Sequence, residues 1–452
     1  MKTIFIPIFQ GVEVRNILRT DVFKILKQQN DLMIVLFVTN QERKEYFEKE
    51  FFGKNIVYEV VPIYCPPILN WLFNFLKFNL IKTKTIDLKR KIQFEQDRNL
   101  FKYVWKLGFN RIFASKIFRK TVRFLDYYLR RDGNYSEYFE KYNPDLILSA
   151  HLFSDTEVSF IRQARKRGIK SVGLINSWDK ITSRCMVAVL PDKLIVNNDI
   201  IKKEAIKFID MKVGVIEVVG VPHYDLYLNK KSDRGEFVRK LGFSTDKKLV
   251  VFAPWGKERS DADKDIIQLI YRILKEDLAY LNAQLLVRFP PNDDVELGKD
   301  FLNKNIIYQK PGRRFSKERG VDWDMSFEDI NELINTLYHS SLIISFTSSI
   351  AIDAAVFDKP VINIKFDTRP FDPSNRKPSR FYETEHYSKL LATGGVRLVH
   401  NENELSFWIK NYLENPETNS KERRRIIEEQ CWKHDGRAGF RIANFILNYL
   451  NQ

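Results

Sequence analysis

Residues 342–366 read LIISFTSSIAIDAAVFDKPVINIKF. Leu342 to Phe346 is an apolar run of the length of a buried parallel strand, broken by Thr347, Ser348 and Ser349. Ile350 to Phe357 carries the small and apolar residues of a packed helix, Asp358-Lys359-Pro360 ends it, and Val361 to Ile364 supplies a second buried strand. The stretch reads as a βαβ unit with its serine turn at the carboxyl end of the first strand. Parallel sheets bind ligands at that end, and hydroxyls beside unpaired helix N–H groups suit a phosphate. The competing use of Ser348 or Ser349 is as an ordinary helix N-cap, worth about 1 kcal/mol.

Around this unit lie 452 residues, 44% of them hydrophobic, too many for one typical domain. The opening MKTIFIPIFQG has too short an apolar run for a signal peptide and reads as a first strand. No uninterrupted apolar run reaches about 18 residues, so no transmembrane helix is expected. Cys65, Cys185 and Cys431 form no CxxC pair, which suits a reducing, cytoplasmic compartment. Without HExxH or a His/Cys cluster, no metal site is expected.

Strand and helix alternate from the N-terminus: Thr3 to Ile8, a helix over Val14 to Gln28, then Leu32 to Val38. This pattern predicts an α/β domain with a parallel sheet. No GxGxxG follows the first strand, which argues against a standard dinucleotide site. Glu13 lies in that first turn. The alternation resumes at Asp145 to Ser149 and continues to about residue 222, placing His151, Asp155, Trp178 and Asp179 at strand ends, where parallel sheets put their chemistry. Glu13, His151, Asp155 and Asp179 are the candidate general bases toward a hydroxyl acceptor. The plain alternative for each is a cap or turn residue, Asp155 above all.

Residues 66–131 stand apart. Sixteen Lys/Arg face four Asp/Glu there, a net +12 of the chain's +16, interleaved with aromatics from Trp71 to Phe124. Helical spacing predicts amphipathic helices with basic faces, to which Lys89, Arg90, Lys116, Arg119 and Lys120 contribute. Such faces suit an anionic membrane surface or a lipid-linked acceptor. The same charges on ordinary solvated helices are the alternative. No finger, RNP or basic-zipper pattern accompanies them, so nucleic acid is not an expected partner.

A charged break over 223–246 reads as a hinge before a second α/β series. Its first strand ends in Pro254-Trp255-Gly256-Lys257, and its second in Arg288-Phe289-Pro290-Pro291. Trp255, Lys257, Arg288, Arg313 and Arg314 stand where strand ends and loops meet a phosphate. Asp261-Ala262-Asp263 and Asp322-Trp323-Asp324 match the metal-binding DxD pattern, but read as surface or helix-start acids. The expected division is 1–222, hinge 223–246, 247–430, and a terminal helix in 431–452.

The run DINELINTLYHSSLIISFTSSIAIDAAVFDKPVI, Asp329 to Ile362, resembles the donor-site segment of GT-B glycosyltransferases and of the related CDP-glycerol glycerophosphotransferases. LIVNNDIIKKEAI followed by VVGVPHYDLYL, then VVFAPWGK, then DGRAGFRIANFIL resemble further pieces of those proteins in the same order, so the resemblance spans roughly residues 144–447. It implies two Rossmann-like domains with parallel sheets facing across a cleft. Residues 1–222 would be the acceptor domain. Thr347, Ser348 and Ser349 would hold donor phosphates, and Asp353 would lie near the donor's sugar or ribose. Many relatives using cytidine-linked donors carry His-Pro where this chain has Phe289-Pro290, a departure that counts against a cytidine donor.

The resulting expectation is a metal-independent glycosyltransferase without a cofactor. It would move a sugar from a nucleotide-sugar donor to a glycan or lipid-linked acceptor in surface-polysaccharide assembly, on the inner face of the cell membrane. A CDP-polyol phosphotransferase or a sugar-nucleotide epimerase on the same fold is the runner-up. A non-enzymatic basic membrane- or nucleic-acid-binding protein is the third reading.

Overall fold

The computed structural model describes residues 1–63, 70–130, 133–257, 259–293, 306–315, 323–368 and 377–452. Cys65, Asp322 and the ends of the basic segment, 66–69 and 131, lie outside them. The chain divides into two compact units, Met1–Leu226 with Gln430–Gln452, and Tyr227–Glu429. Residues Arg234–Lys240, within the expected hinge, are helical and belong to the second unit.

The first unit is built on seven strands: β1 (Lys2–Pro7), β2 (Leu32–Val38), β3 (Ile56–Val60), β4 (Leu146–Ser149), β5 (Lys170–Leu174), β6 (Lys193–Val196) and β7 (Ile216–Val218). They lie in the order β3-β2-β1-β4-β5-β6-β7, all parallel, with Ile4 opposite Leu146 at the centre. Both faces of the sheet are covered, so the central strands are apolar throughout rather than alternating. The order reverses between β1 and β4, the point at which doubly wound sheets open a ligand crevice. The helix expected over Val14 to Gln28 is interrupted: Thr20 is extended, its hydroxyl donates back to the Asn16 carbonyl, and a new helix runs from Asp21 to Lys27.

The terminal helix Ala438–Asn451 closes this unit, laying Ile442, Ile446 and Leu450 into the core beside Ile4 and Leu26. A Cβ on Gly439 would stand 3.2 Å from the backbone nitrogens of Asp21 and Val22, so a larger residue there would have to push the two helices slightly apart.

Four helices of the basic segment follow β3, Asn70–Asn79, Lys84–Asp97, Leu100–Phe113 and Lys116–Leu129, and a fifth, Ser136–Tyr142, leads into β4. The side chains of Thr83, Asn99 and Ser115 accept a backbone N–H at the start of the second, third and fourth. Several of their basic residues are not the solvated face that their spacing suggests. Arg119 and Arg123 converge on Asp210 at 2.7 and 2.8 Å, and Arg130 joins Arg162 on Asp126 at 2.9 and 2.5 Å. Arg90 is buried against Asp87. The pairs to Asp210 and Arg162 fasten the helix Lys116–Leu129 to the rest of the unit, and Arg90 and Arg119, being buried, leave the set of surface cations. Lys116 and Lys120 remain exposed.

The second unit has six parallel strands in the order β10-β9-β8-β13-β14-β15, namely β8 (Lys248–Ala253), β9 (Ala283–Arg288), β10 (Ile306–Gln309), β13 (Leu342–Ser345), β14 (Val361–Ile364) and β15 (Arg397–Val399). A separate antiparallel pair joins β11 (Arg313–Arg314) to β12 (Trp323–Asp324). Here the order reverses between β8 and β13. Of the three DxD acids among the described residues, Asp263 starts the helix Asp263–Arg272, as expected, but is buried; Asp261 is half-buried, and Asp324 is buried in β12, which corrects the surface expectation for it.

Candidate functional site

At the switch point of the first unit, the turn after β1 brings Glu13 to the end of β4, where it meets His151 and Glu157. Ligand atoms of the three residues lie within 4.8 Å of one another, and all three side chains are buried. Glu13 Oε2 accepts the N–H groups of Phe9 and Gln10 at 2.6 and 2.9 Å. The two carboxyl groups stand beside each other, and burial pushes both upward, Glu157 further because Glu13 is its neighbour. His151 Nδ1 lies 4.0 Å from Glu157 Oε2, and neither ring nitrogen is hydrogen-bonded. Burial, with Lys180 and Arg184 nearby, holds the imidazole well below its usual range and therefore neutral.

Glu13, His151 and Glu157 form the one group with cation-ligand spacing among the described residues. Lys180 and Arg43 already bring positive charge to it. Glu157 and Lys180 escaped the sequence reading because each is a single polar residue in a helix, brought to the cluster only by tertiary packing.

The other two candidate bases are occupied. Asp155 pairs with Lys77 at 2.7 Å and Arg130 at 3.2 Å; burial raises its carboxyl, but the two cations outweigh that and hold it below the usual range. Its expected role as a base is corrected accordingly, since a carboxylate so stabilised is a poor proton acceptor. Asp179 accepts the hydroxyls of Ser177 at 2.6 Å and Ser183 at 3.1 Å, holding the turn into the helix Lys180–Ser183.

In the second unit, Thr347, Ser348 and Ser349 leave the carboxyl end of β13 and enter the helix Ile350–Ala355. Ser348 Oγ accepts the Ile350 N–H at 3.3 Å. Ser349 makes no side-chain cap bond and is exposed, and the buried Thr347 hydroxyl has no partner. The turn is braced from below. Asn363 Nδ2 donates to Ser345 Oγ at 2.9 Å and to the Phe346 carbonyl at 3.0 Å, while Tyr387 donates to Asn363 Oδ1 and to that carbonyl. Asn363 had a visible signal, a lone amide inside the apolar run of β14. Tyr387 had none.

The remaining donor-side candidates scatter. Asp353 is buried and accepts the Tyr227 hydroxyl at 2.7 Å, so its carboxylate is engaged in the interior. Arg288 is buried too, donating to Gln309, Glu332 and the Asp329 carbonyl; the expectation that it meets a donor phosphate is corrected, because its charge is already matched by Glu332 at 3.3 Å. Trp255 is half-buried with its ring against Phe381, and Lys257 is exposed in the loop after β8. That loop is shaped by Asp263, whose carboxylate accepts the N–H groups of Gly256 at 2.8 Å and Trp255 at 3.3 Å. Gly256 has φ +89°, and a Cβ there would fall 2.4 Å from Asp293. Burial, with Asp293 close by, raises the Asp263 carboxyl to about 6.

Residues 177–448 match the model of the CDP-glycerol:poly(glycerophosphate) glycerophosphotransferase family. The chain belongs to that family. The span takes in the serine turn, its Asn363 and Tyr387 braces and the terminal helix. No curated protein matches the chain. Among solved structures, it is similar over 100% of its length to 97% of Staphylococcus aureus MnaA with UDP, at 15% identity and TM-score 0.56. It is also similar to the UDP-GlcNAc 2-epimerase of Neisseria meningitidis bound to UDP-GlcNAc, at 14% identity and TM-score 0.56, over 99% of this chain and 100% of that one. The wall teichoic acid polymerase TagF is similar at 13% identity and TM-score 0.53, over 100% of this chain and 89% of that chain. At these identities the likeness is one of fold: this member of the glycerophosphotransferase family is a transferase-family chain of GT-B-like architecture with two Rossmann-like units.

Proposed function

We propose that this protein transfers a polyol phosphate from a nucleoside-diphosphate-linked donor to a hydroxyl of a glycan or lipid-linked acceptor, in the assembly of a cell-surface polymer. The observation that carries this reading is the Thr347–Ser349 turn, where the Thr347 and Ser349 hydroxyls are uncommitted at the switch point of the second sheet. Hydrogen bonds from such hydroxyls to a diphosphate are charge-assisted and about twice as strong as neutral ones. The family match supports polyol-phosphate transfer in particular. In that reaction the acceptor oxygen attacks phosphorus, the bond to the bridging oxygen breaks, and a nucleoside monophosphate leaves.

For the acceptor's proton we assign His151, the candidate whose ring nitrogens are unpartnered, with Glu157 Oε2 4.0 Å from Nδ1; burial depresses the imidazole, so its proton affinity has to rise as the acceptor opens the site. His151 is 6% exposed, so an acceptor reaches it only by displacing neighbouring side chains. Catalytic hydrogen bonds commonly tighten only once substrate is bound.

Transfer of a sugar is the second reading, favoured by Phe289-Pro290, which stands where many cytidine-donor relatives carry His-Pro. The two reactions differ in what leaves. Incubation with CDP-, UDP-, GDP- and dTDP-linked donors and an acceptor, followed by nucleotide analysis, separates them: monophosphate supports the first reading, diphosphate the second.

The four-helix insertion is assigned to an anionic membrane surface on the cytoplasmic side. Among the described residues, twelve of the twenty-three exposed large apolar side chains fall between Trp71 and Leu129, including Phe101 (83%), Ile117 (75%) and Phe124 (61%). Exposed Lys116 and Lys120 flank Ile117, so apolar and basic groups share one surface, as interfacial helices require. No helix among the described residues is long and apolar enough to cross a membrane.

A further inference from the structure

We propose that the second unit carries another anion site, for a phosphate-bearing small molecule, at the end of its sheet away from the serine turn. The site is a pocket of about 370 Å³ lined by Arg234, Lys248, Tyr338, Lys359 and Tyr412, among others. Lys248 opens β8, and Ser340-Ser341 and Pro360, also in the wall, immediately precede β13 and β14. The pocket therefore lies at the amino ends of the strands, whereas Thr347–Ser349 follows their carboxyl ends. Four residues of β13, a length of about 13 Å, separate the two.

The chemistry of the lining points to an anion. Arg234 donates to the carbonyls of His339 at 3.3 Å and Lys247 at 2.8 Å, and Lys248 donates to the Leu413 carbonyl at 2.6 Å. Carbonyls fix these side chains without neutralising them. The Lys359 ammonium makes no hydrogen bond, its backbone N–H alone donating, to the Ala354 carbonyl, and none of the three cations has a carboxylate partner within ion-pair distance among the described residues. Asp358, the one acid in the wall, is engaged by Arg423 at 2.7 Å and by Ser420 at 2.7 Å. Burial depresses Lys359 and His339; Asp358 offsets part of the fall at Lys359 and the Ser232 carbonyl part of it at His339, while Arg234 adds to it at both. Lys231 and Lys359 each stand 5.8 Å from the Tyr338 ring, so this wall combines charge with an aromatic face. A phosphate supplies the missing negative charge, and Tyr338 and Tyr412 leave room for the rest of the molecule.

Position gives the site a consequence. The helix Ile350–Ala355 begins at Ser349 and ends just before Asp358-Lys359, so an anion held by Lys359 bears on the element that carries the serine turn.

The test is calorimetric titration of inorganic phosphate into the full chain at matched ionic strength, compared with Lys359→Gln and with Thr347→Val/Ser349→Ala. The Lys359 side chain makes no hydrogen bond, so Lys359→Gln should leave the fold intact, as a melting curve checks. Saturable binding that weakens at least about tenfold in Lys359→Gln and persists in the turn variant is expected. Parallel titrations with glycerol phosphate and a nucleoside monophosphate identify the source, the tighter Lys359-dependent binder being favoured. As a second readout, phosphate should protect Lys359 from an amine-reactive label. Absent phosphate binding, equal binding by Lys359→Gln, or loss of binding in the turn variant would overturn the proposal.

Discussion

The Ser348 hydroxyl accepts the Ile350 N–H at 3.3 Å, while the Ser349 hydroxyl beside it makes no cap bond. One serine supports the helix and its neighbour is left for a ligand. Ser348→Ala should therefore lower stability by about 1 kcal/mol, and Ser349→Ala should leave it unchanged. Chemical denaturation of the two single variants checks this, and equal losses would contradict the division.

The pH dependence of stability should carry the mark of Asp263. Its carboxyl is raised from 3.8 to about 6 by burial, so the folded chain holds this proton more tightly than the unfolded one. The contribution is favourable below about pH 4 and is lost as pH rises through about 6, a difference of at most about 3 kcal/mol. Asp263→Asn should flatten that part of the profile and melt higher than wild type at pH 7. Parallel melting curves from pH 4 to 7 would show that the carboxyl titrates normally.

Asp126 is 1% exposed and holds Arg130 and Arg162. Asp126→Asn takes a carboxylate from buried Arg162 and one of two from Arg130, which keeps Asp155 at 3.2 Å, and should cost about 3 kcal/mol in urea denaturation. A loss below about 1 kcal/mol would mean that the insertion is not fastened by this pair.

Membrane association should depend on exposed side chains alone. Lys116→Gln/Lys120→Gln together with Phe101→Ser, Ile117→Ser and Phe124→Ser should release the protein from anionic vesicles, at about 1 kcal/mol for each basic residue near the surface. Undiminished vesicle sedimentation would contradict the assignment.

Both parallel sheets were legible because buried parallel strands leave continuous apolar runs, as in Leu32–Val38 and Leu342–Ser345. The serine turn was legible because a polar break in such a run marks a strand end. Which serine caps was not, since two adjacent hydroxyls compete for the same N–H groups. Arg119 misled because helical spacing says which residues share a face, but not whether an aspartate such as Asp210 waits opposite, and Arg90 because spacing shows its partner Asp87 but not that the pair's face is covered. Asp155 and Arg288 misled in the same way: each stands at a strand end, and Lys77 and Glu332 that neutralise them come from distant sequence. The Glu13–Glu157 contact joins residues 144 positions apart and has no local signature at all.

The most direct test of the account is calorimetric titration of the donor found active in the nucleotide assay into wild type and Thr347→Val/Ser349→Ala. Each lost hydrogen bond to a charged phosphate is worth roughly 1.5–3 kcal/mol, so affinity should fall at least about tenfold per hydroxyl, with melting unchanged. Equal donor affinity in the two proteins would contradict the assignment of this turn to the donor's phosphates.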